Sequence, residues 1–214
     1  MPSQSHATPF VIAILRGITP GEVLRIAEAL VERGVGGIEI PLNSPDPFVS
    51  IGLLQRAFGR DCLCGAGTVL DLRQVEQLHE TGGRLLVAPN TDAAVIRRAL
   101  ELGMVPMPGV GTASEAFDAI AAGATRLKLF PASTYGPAHL RALRAVLPAG
   151  VSVCAVGGVD EHNAAHWLRA GVDGYGLGNS LYRPGMTAAE VAARADAFMA
   201  VIAAYRKDAS AVDA

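Results

Sequence analysis

Eight short apolar runs recur along the chain, each closed by glycine, proline, asparagine or serine. They are FVIAILRG at 10–17, GGIEIPLN at 36–43, CLCGAGTV at 62–69, RLLVAPN at 84–90, MVPMPGV at 104–110, RLKLFPA at 126–132, VSVCAVGGV at 151–159 and GYGLGNS at 174–180. Runs this short and this evenly apolar suit parallel strands buried on both faces. Between them the apolar positions fall at helical spacing. ITPGEVLRIAEALVERG offers Thr19 as N-cap, Pro20 at the first helical position and Gly34 as its end. Thr112, three residues before Glu115, predicts a capping box, and Asp71 and Asp92 are placed to cap two further helices. NTDAAVIRRALELG, YGPAHLRALRAVLP and TAAEVAARADAFMAVIAAYRK complete the helical pattern. Residues 1–9 and 207–214 read as terminal tails.

Strands and helices alternating at this spacing predict an α/β fold, a (β/α)8 TIM barrel made by one domain spanning 1–214. The competing architecture is an open, doubly wound sheet. Two features favour closure. No Gly-x-Gly-x-x-Gly follows the first strand, where a dinucleotide fold wants it. Polar residues also gather at the C-terminal ends of the runs as if around one ring: Arg16, Glu39, Asn43, Thr68, Asn90, Lys128 and the glycines near 157 and 178. In a barrel that ring is the active-site face.

Strand parity then singles out two charged residues. In the sixth run Leu127 and Leu129 share one face, and Lys128 and Phe130 take the other; in the second, Ile38 and Ile40 oppose Glu39. The leucines and isoleucines would pack under helices, leaving Lys128 and Glu39 to point into the barrel. Runs two and six stand opposite each other in a ring of eight, and both are even-numbered, so their side chains can share a layer. One outcome is a buried ion pair that merely satisfies itself, although such pairs stabilise poorly because desolvation offsets the attraction. The other is a lysine whose burial lowers its pKa, able to attack a carbonyl and form a Schiff base, with a carboxylate beside it to move protons.

The last two strand ends carry a second signal. AVGGVDEHNAAHWL and GLGNSLYRPG bring glycines to the places where a barrel usually binds phosphate, and backbone N–H groups there can approach an anion closely. The alternative is two tight turns with no ligand. Arg16 could hold a carboxylate bidentately, or form a surface ion pair. Thr68, flanked by glycine, could donate to a substrate oxygen, or be an ordinary strand-end hydroxyl.

Composition removes other classes. A net charge of −2 offers no basic stripe, and aromatics make up 5% of the chain, so neither nucleic-acid backbone nor base stacking is served. No H-E-x-x-H or related cluster joins His79, His139, His162 and His166, so no metal site is expected. Cys62, Cys64 and Cys154 lie in apolar runs without C-x-x-C spacing and read as core residues; Trp167 reads as helix packing. Neither a signal peptide nor a run of transmembrane length is visible, so a soluble cytoplasmic protein with no membrane partner is expected.

With these residues placed, the chain resembles the class I 2-keto-3-deoxy-6-phosphogluconate aldolase family from about residue 10 to 205. AILRGITP, EIPLNSP, GAGTVL, APN, PG, LKLFPAS, AVGGV and GLGNSLYR carry the resemblance in that order. It implies reversible cleavage of a phosphorylated 2-keto-3-deoxy sugar acid to pyruvate and glyceraldehyde 3-phosphate, without metal or organic cofactor, by a homotrimer. It implies Lys128 as the Schiff-base lysine and Glu39 as the general acid/base. Arg16 and Thr68 match contacts to the pyruvoyl carboxylate, and Asn43, Pro89 and Phe130 join them as substrate-binding positions. Gly157, Gly158, Gly178 and Asn179 match the phosphate loops, with Asn179 where relatives often carry serine. Asn43 stands four residues after Glu39, where the gluconate enzymes often carry arginine, which implies the galactonate epimer as substrate. The gluconate epimer, or both, is the nearest alternative. A phosphate-barrel isomerase or epimerase using Lys128 without a covalent intermediate, and a non-catalytic sugar-phosphate sensor, are the readings from other classes.

Overall fold

Every apolar run carries a strand, and all the strand pairings are parallel. The structure, a computed structural model, describes residues 9–212. Along these the order is β1 (Phe10–Ile14), α1 (Val23–Val31), β2 (Gly37–Pro41), α2 (Pro47–Phe58), β3 (Leu63–Gly67), α3 (Leu72–Glu80), β4 (Leu85–Val87), α4 (Ala93–Glu101), β5 (Val105–Met107), β6 (Gly109–Val110), α5 (Ala113–Ala121), β7 (Arg126–Leu129), α6 (Ala132–Arg144), β8 (Ser152–Val156), α7 (Ala164–Arg169), β9 (Gly174–Leu177) and α8 (Ala188–Val212). The strands lie in the order β5-β4-β3-β2-β1-β9-β8-β7-β6.

The fifth run departs from expectation by splitting in two. Pro108 interrupts it, because proline has no N–H to give to a ladder. β5 pairs with β4 and β6 with β7, while the Pro108 carbonyl accepts from the Lys128 N–H at 2.9 Å. The two outer edges of the sheet are thus consecutive pieces of one run, and that run closes eight staves into a (β/α)8 barrel. An open doubly wound sheet would leave those edges apart.

Parity sorts the apolar residues into two cores. Ile38, Ile40, Leu127 and Leu129, all with no exposed surface, pack outward against the helices together with Val75, Leu78, Val95, Trp167 and Tyr175. Ile12, Leu85, Val87, Met107, Cys154 and Val156 fill the barrel itself, with Phe10, Ile14, Leu63 and Phe130 against them. The three cysteines are free and buried.

Of the four N-caps expected from the sequence, three form. Asp71 accepts from the Gln74 N–H, Asp92 accepts from those of Ala94 and Val95, and Thr112 and Glu115 form a reciprocal capping box. Such a cap contributes about 1 kcal/mol. Thr19 does not cap α1. That helix begins at Val23 with Glu22 as N-cap, and the Glu22 carboxylate instead receives the Thr19 N–H at 3.3 Å. Pro20 and Gly21 form a turn, since Gly21 is a weak helix former. Two further differences concern helix bounds. α6 starts at Ala132 and breaks at Gly136 (φ 76°) before resuming. α8 runs to Val212, past the start of the expected tail at 207, because no glycine or proline stops it there. The expected N-terminal tail, including His6, lies outside the described residues apart from Pro9.

Candidate active site

Among the described residues, Glu39 and Lys128 are the only charged side chains that are buried, at 3% and 6% exposure. Each sits on the inward parity of its strand. β2 and β7 are four staves apart in either direction, counting β5 and β6 as one, so the two groups face each other across the barrel. Burial dominates the titration of both. It raises the Glu39 carboxyl from 4.5 to about 7, against the opposing pull of Lys128 and Arg16. It lowers Lys128, with Glu39 opposing and Arg16 adding to the shift. Desolvation thus moves both groups toward their neutral forms. The Lys128 ammonium nitrogen lies 4.6 Å from the centre of the Phe130 ring. Phe130 follows β7 and borders the phosphate side: a Cβ on Gly157 would be 3.4 Å from its ring.

The ends of β1, β2 and β3 form one wall of the mouth. Arg16, exposed just beyond β1, donates from its guanidinium to the Asn43 side-chain oxygen beyond β2. Asn43 therefore meets Arg16 directly. Ser44, buried at 7% exposure, accepts the Gly17 N–H at 2.9 Å and ties the same two loops together. Thr68, directly after β3, has φ 61°. A β-branched residue rarely tolerates the left-handed region, so the surrounding structure holds this backbone in a costly conformation. Pro89 follows β4, half-buried, with its carbonyl against Gly109 of β6.

The loops after β8 and β9 form the adjoining stretch of the mouth, since β9 pairs with β1. Gly157 and Gly158 have consecutive positive φ of 95° and 76°, a backbone curl that glycine adopts without strain. Gly178 is unobstructed and Asn179 exposed. The Ser180 hydroxyl donates to the Val159 carbonyl at 2.8 Å and joins the two loops. Arg183 and Arg194 both donate to the Asn179 carbonyl, each at 3.1 Å. Ser44, Ser180 and Arg194 were missed by sequence reasoning. Ser180 was legible as the end of the eighth run, whereas the other two act through contacts that join separate loops.

A buried amine facing a buried carboxyl inside a barrel suits carbonyl chemistry. The chain belongs to the KDPG and KHG aldolase family, whose model matches residues 5–178. It is 53% identical over 195 residues to the probable 2-dehydro-3-deoxy-6-phosphogalactonate aldolase of Rhizobium meliloti, covering 91% of both chains. It is 49% identical over 197 residues to the 2-dehydro-3-deoxy-6-phosphogalactonate aldolase of Escherichia coli, covering 92% of this chain and 95% of that one. A solved structure of native KDPGal superimposes with a TM-score of 0.91 at 46% identity, covering 97% of this chain and all of the other. No helix among the described residues is long and apolar enough to cross a membrane.

Proposed function

We propose that this chain cleaves 2-dehydro-3-deoxy-6-phosphogalactonate reversibly to pyruvate and D-glyceraldehyde 3-phosphate through an imine on Lys128. The observation that carries the reading is the buried, opposed pair Lys128 and Glu39, each displaced toward its neutral form. The names of the two relatives support the substrate.

The chemistry follows from the groups. The neutral Lys128 amine attacks the C2 carbonyl, and the resulting carbinolamine loses water to leave an iminium. Glu39 as carboxylate takes the proton of the C4 hydroxyl. The C3–C4 bond breaks, its electron pair enters the iminium as an enamine, and the aldehyde departs. Glu39, now an acid, returns the proton to C3, and hydrolysis of the imine frees pyruvate and the amine. Arg16 and Thr68 hold the pyruvoyl carboxylate, with Asn43 holding Arg16, and Pro89 and Phe130 line the pyruvoyl end. Gly157, Gly158, Gly178 and Asn179 receive the phosphate. One barrel domain, working as a homotrimer in the cytoplasm, completes the reading.

Borohydride reduction in the presence of pyruvate, followed by peptide mass mapping, tests it. The chain has two lysines, Lys128 and Lys207. The adduct is expected on Lys128 alone, and an adduct on Lys207 or on neither ends the imine mechanism. Lys128→Arg is expected to be inactive and untrapped, since a guanidinium stays protonated.

A further inference from the structure

Glu39 is paired in register with Gly65 of β3, yet its side chain leans along the strand toward the mouth and reaches Gly67. A Cβ built on Gly67 would fall on the carboxylate: its three nearest atoms would be Oε2, Cδ and Oε1 of Glu39. Gly65, on the same face, differs, because a Cβ there would run into the Leu85 backbone. Gly65 is thus needed for strands to approach, while Gly67 leaves room for one side chain. Glu39 Oε2 is buried and has no hydrogen-bond partner among the described residues. Such an oxygen is costly to keep dry unless a ligand group or water meets it. Shape, rather than a hydrogen bond to Oε2, keeps that oxygen in its place.

We propose that Gly67 is a positioning residue for the proton shuttle: the space left by its missing side chain seats the Glu39 carboxylate against the inner wall, with Oε2 lodged in that space. The proposal rests on the reading of Glu39 as the acid/base group. A methyl in the seat displaces the carboxylate by an atom's width. A misplacement of roughly 1 Å is enough to cost about 10²-fold in rate. Shortening Glu39 to aspartate withdraws the carboxylate from Gly67, so the two changes must compensate rather than multiply.

The test is a four-way comparison of the parent, Gly67→Ala, Glu39→Asp and the double variant. The readouts are deuterium uptake into the pyruvate methyl in D2O, which reports enamine protonation, and borohydride trapping on Lys128. Gly67→Ala is expected to lose about 10²-fold in exchange while still trapping pyruvate on long incubation. In the Glu39→Asp background the same alanine is expected to cost less than about tenfold. Equal costs in the two backgrounds, or parent-like exchange in Gly67→Ala, overturn the proposal. Should Gly67→Ala fail to fold, a folded and trapping double variant supports the seat. An unfolded double variant overturns it, since the methyl then clashes with something other than the carboxylate. A parent chain that traps pyruvate but exchanges no deuterium removes Glu39 as the shuttle, and the seat with it. A parent that does neither fails at the function itself.

Discussion

A lysine and a glutamate withdrawn from water can settle as an ion pair or as two neutral groups, and the directions of their shifts tell these apart. A stabilising pair would lower the carboxyl and raise the amine. Here burial wins at both, moving Glu39 up to about 7 and Lys128 down. Thr68 is unusual in the same neighbourhood, a β-branched residue at φ 61°. Features that cost stability at one end of a barrel, with no structural gain beside them, are what a reactive site looks like. The Glu39 shift has a measurable sign. Its folded value lies above the unfolded one, so the folded state holds this proton more tightly. The resulting stability is complete below about 4.5 and is lost as pH rises through about 7. Glu39→Gln keeps the shape and removes the titration. The variant is therefore expected to melt above the parent at pH 8, by at most on the order of 3 kcal/mol in stability, with the difference shrinking toward pH 5. Lys128 contributes with the opposite sign, gaining stability as pH rises through its lowered value, and it is present in both proteins. Thermal melts between pH 4 and 9 decide the matter. A variant less stable than the parent at pH 8 would mean that the attraction of Lys128 for the ionised Glu39 outweighs the cost of burying it.

Strand ends and loops divide the work between two walls. β1, β2 and β3 supply Arg16, Asn43, Ser44 and Thr68, joined by the Arg16–Asn43 and Gly17–Ser44 hydrogen bonds. The loops after β8 and β9 supply the glycine curl, joined by Ser180 to Val159 at 2.8 Å. Loss of that bond loosens one loop against the other without touching Lys128. Ser180→Ala is expected to raise KM for the phosphorylated substrate about fivefold to tenfold, the value of one hydrogen bond, with kcat little changed. Borohydride trapping with pyruvate, which carries no phosphate, should proceed as in the parent. An unchanged KM, or lost trapping, would detach Ser180 from phosphate binding. The elements also show how far the sequence was legible. Lys128 and Glu39 could be placed because strand parity is strict and their neighbours are isoleucine and leucine. Asp71, Asp92 and Thr112 could be placed because a cap is local. Thr19 could not, because Gly21 weakens the first turn that its cap would have served. The split at Pro108 was written in the sequence as a missing donor, but only the closed ring shows that one run serves two neighbours. The Arg16–Asn43 contact and the space at Gly67 depend on side chains from different strands, which no local pattern encodes.

At the scale of the molecule, the proposed roles give a substrate chain three points to span: the Arg16–Thr68 wall, the Lys128 amine inside, and the glycine loops after β8 and β9. In that reading a 2-keto acid with a terminal phosphate would meet all three, with its carboxylate, its C2 carbon and its phosphate respectively. With these held, the chain would have little freedom left, and the C4 hydroxyl would be presented to Glu39 in one configuration better than in the other. Discrimination between the C4 epimers is therefore a property of the whole constellation and not of one pocket residue. Glu39 lies on β2, and beyond that strand Asn43 holds Arg16, which under the proposed roles would set where the carboxylate is anchored. The energy at stake is bounded. A hydroxyl that misses its buried partner costs from about 1 kcal/mol upward. A site that hydrogen-bonds a hydroxyl can discriminate far more strongly than one that merely accommodates it. If Glu39 takes the hydroxyl's proton as proposed, this site falls in the former class. The expected outcome is a kcat/KM at least tenfold higher for the galactonate epimer than for the gluconate epimer, measured on one preparation. Releasing Arg16 with Asn43→Ala should narrow that ratio and raise KM for both epimers, because the carboxylate anchor can then move. Preference for the gluconate epimer would reverse the substrate assignment and leave the imine chemistry of Lys128 standing. A preference untouched by Asn43→Ala would place the discrimination at Glu39 and its seat instead of at the carboxylate wall.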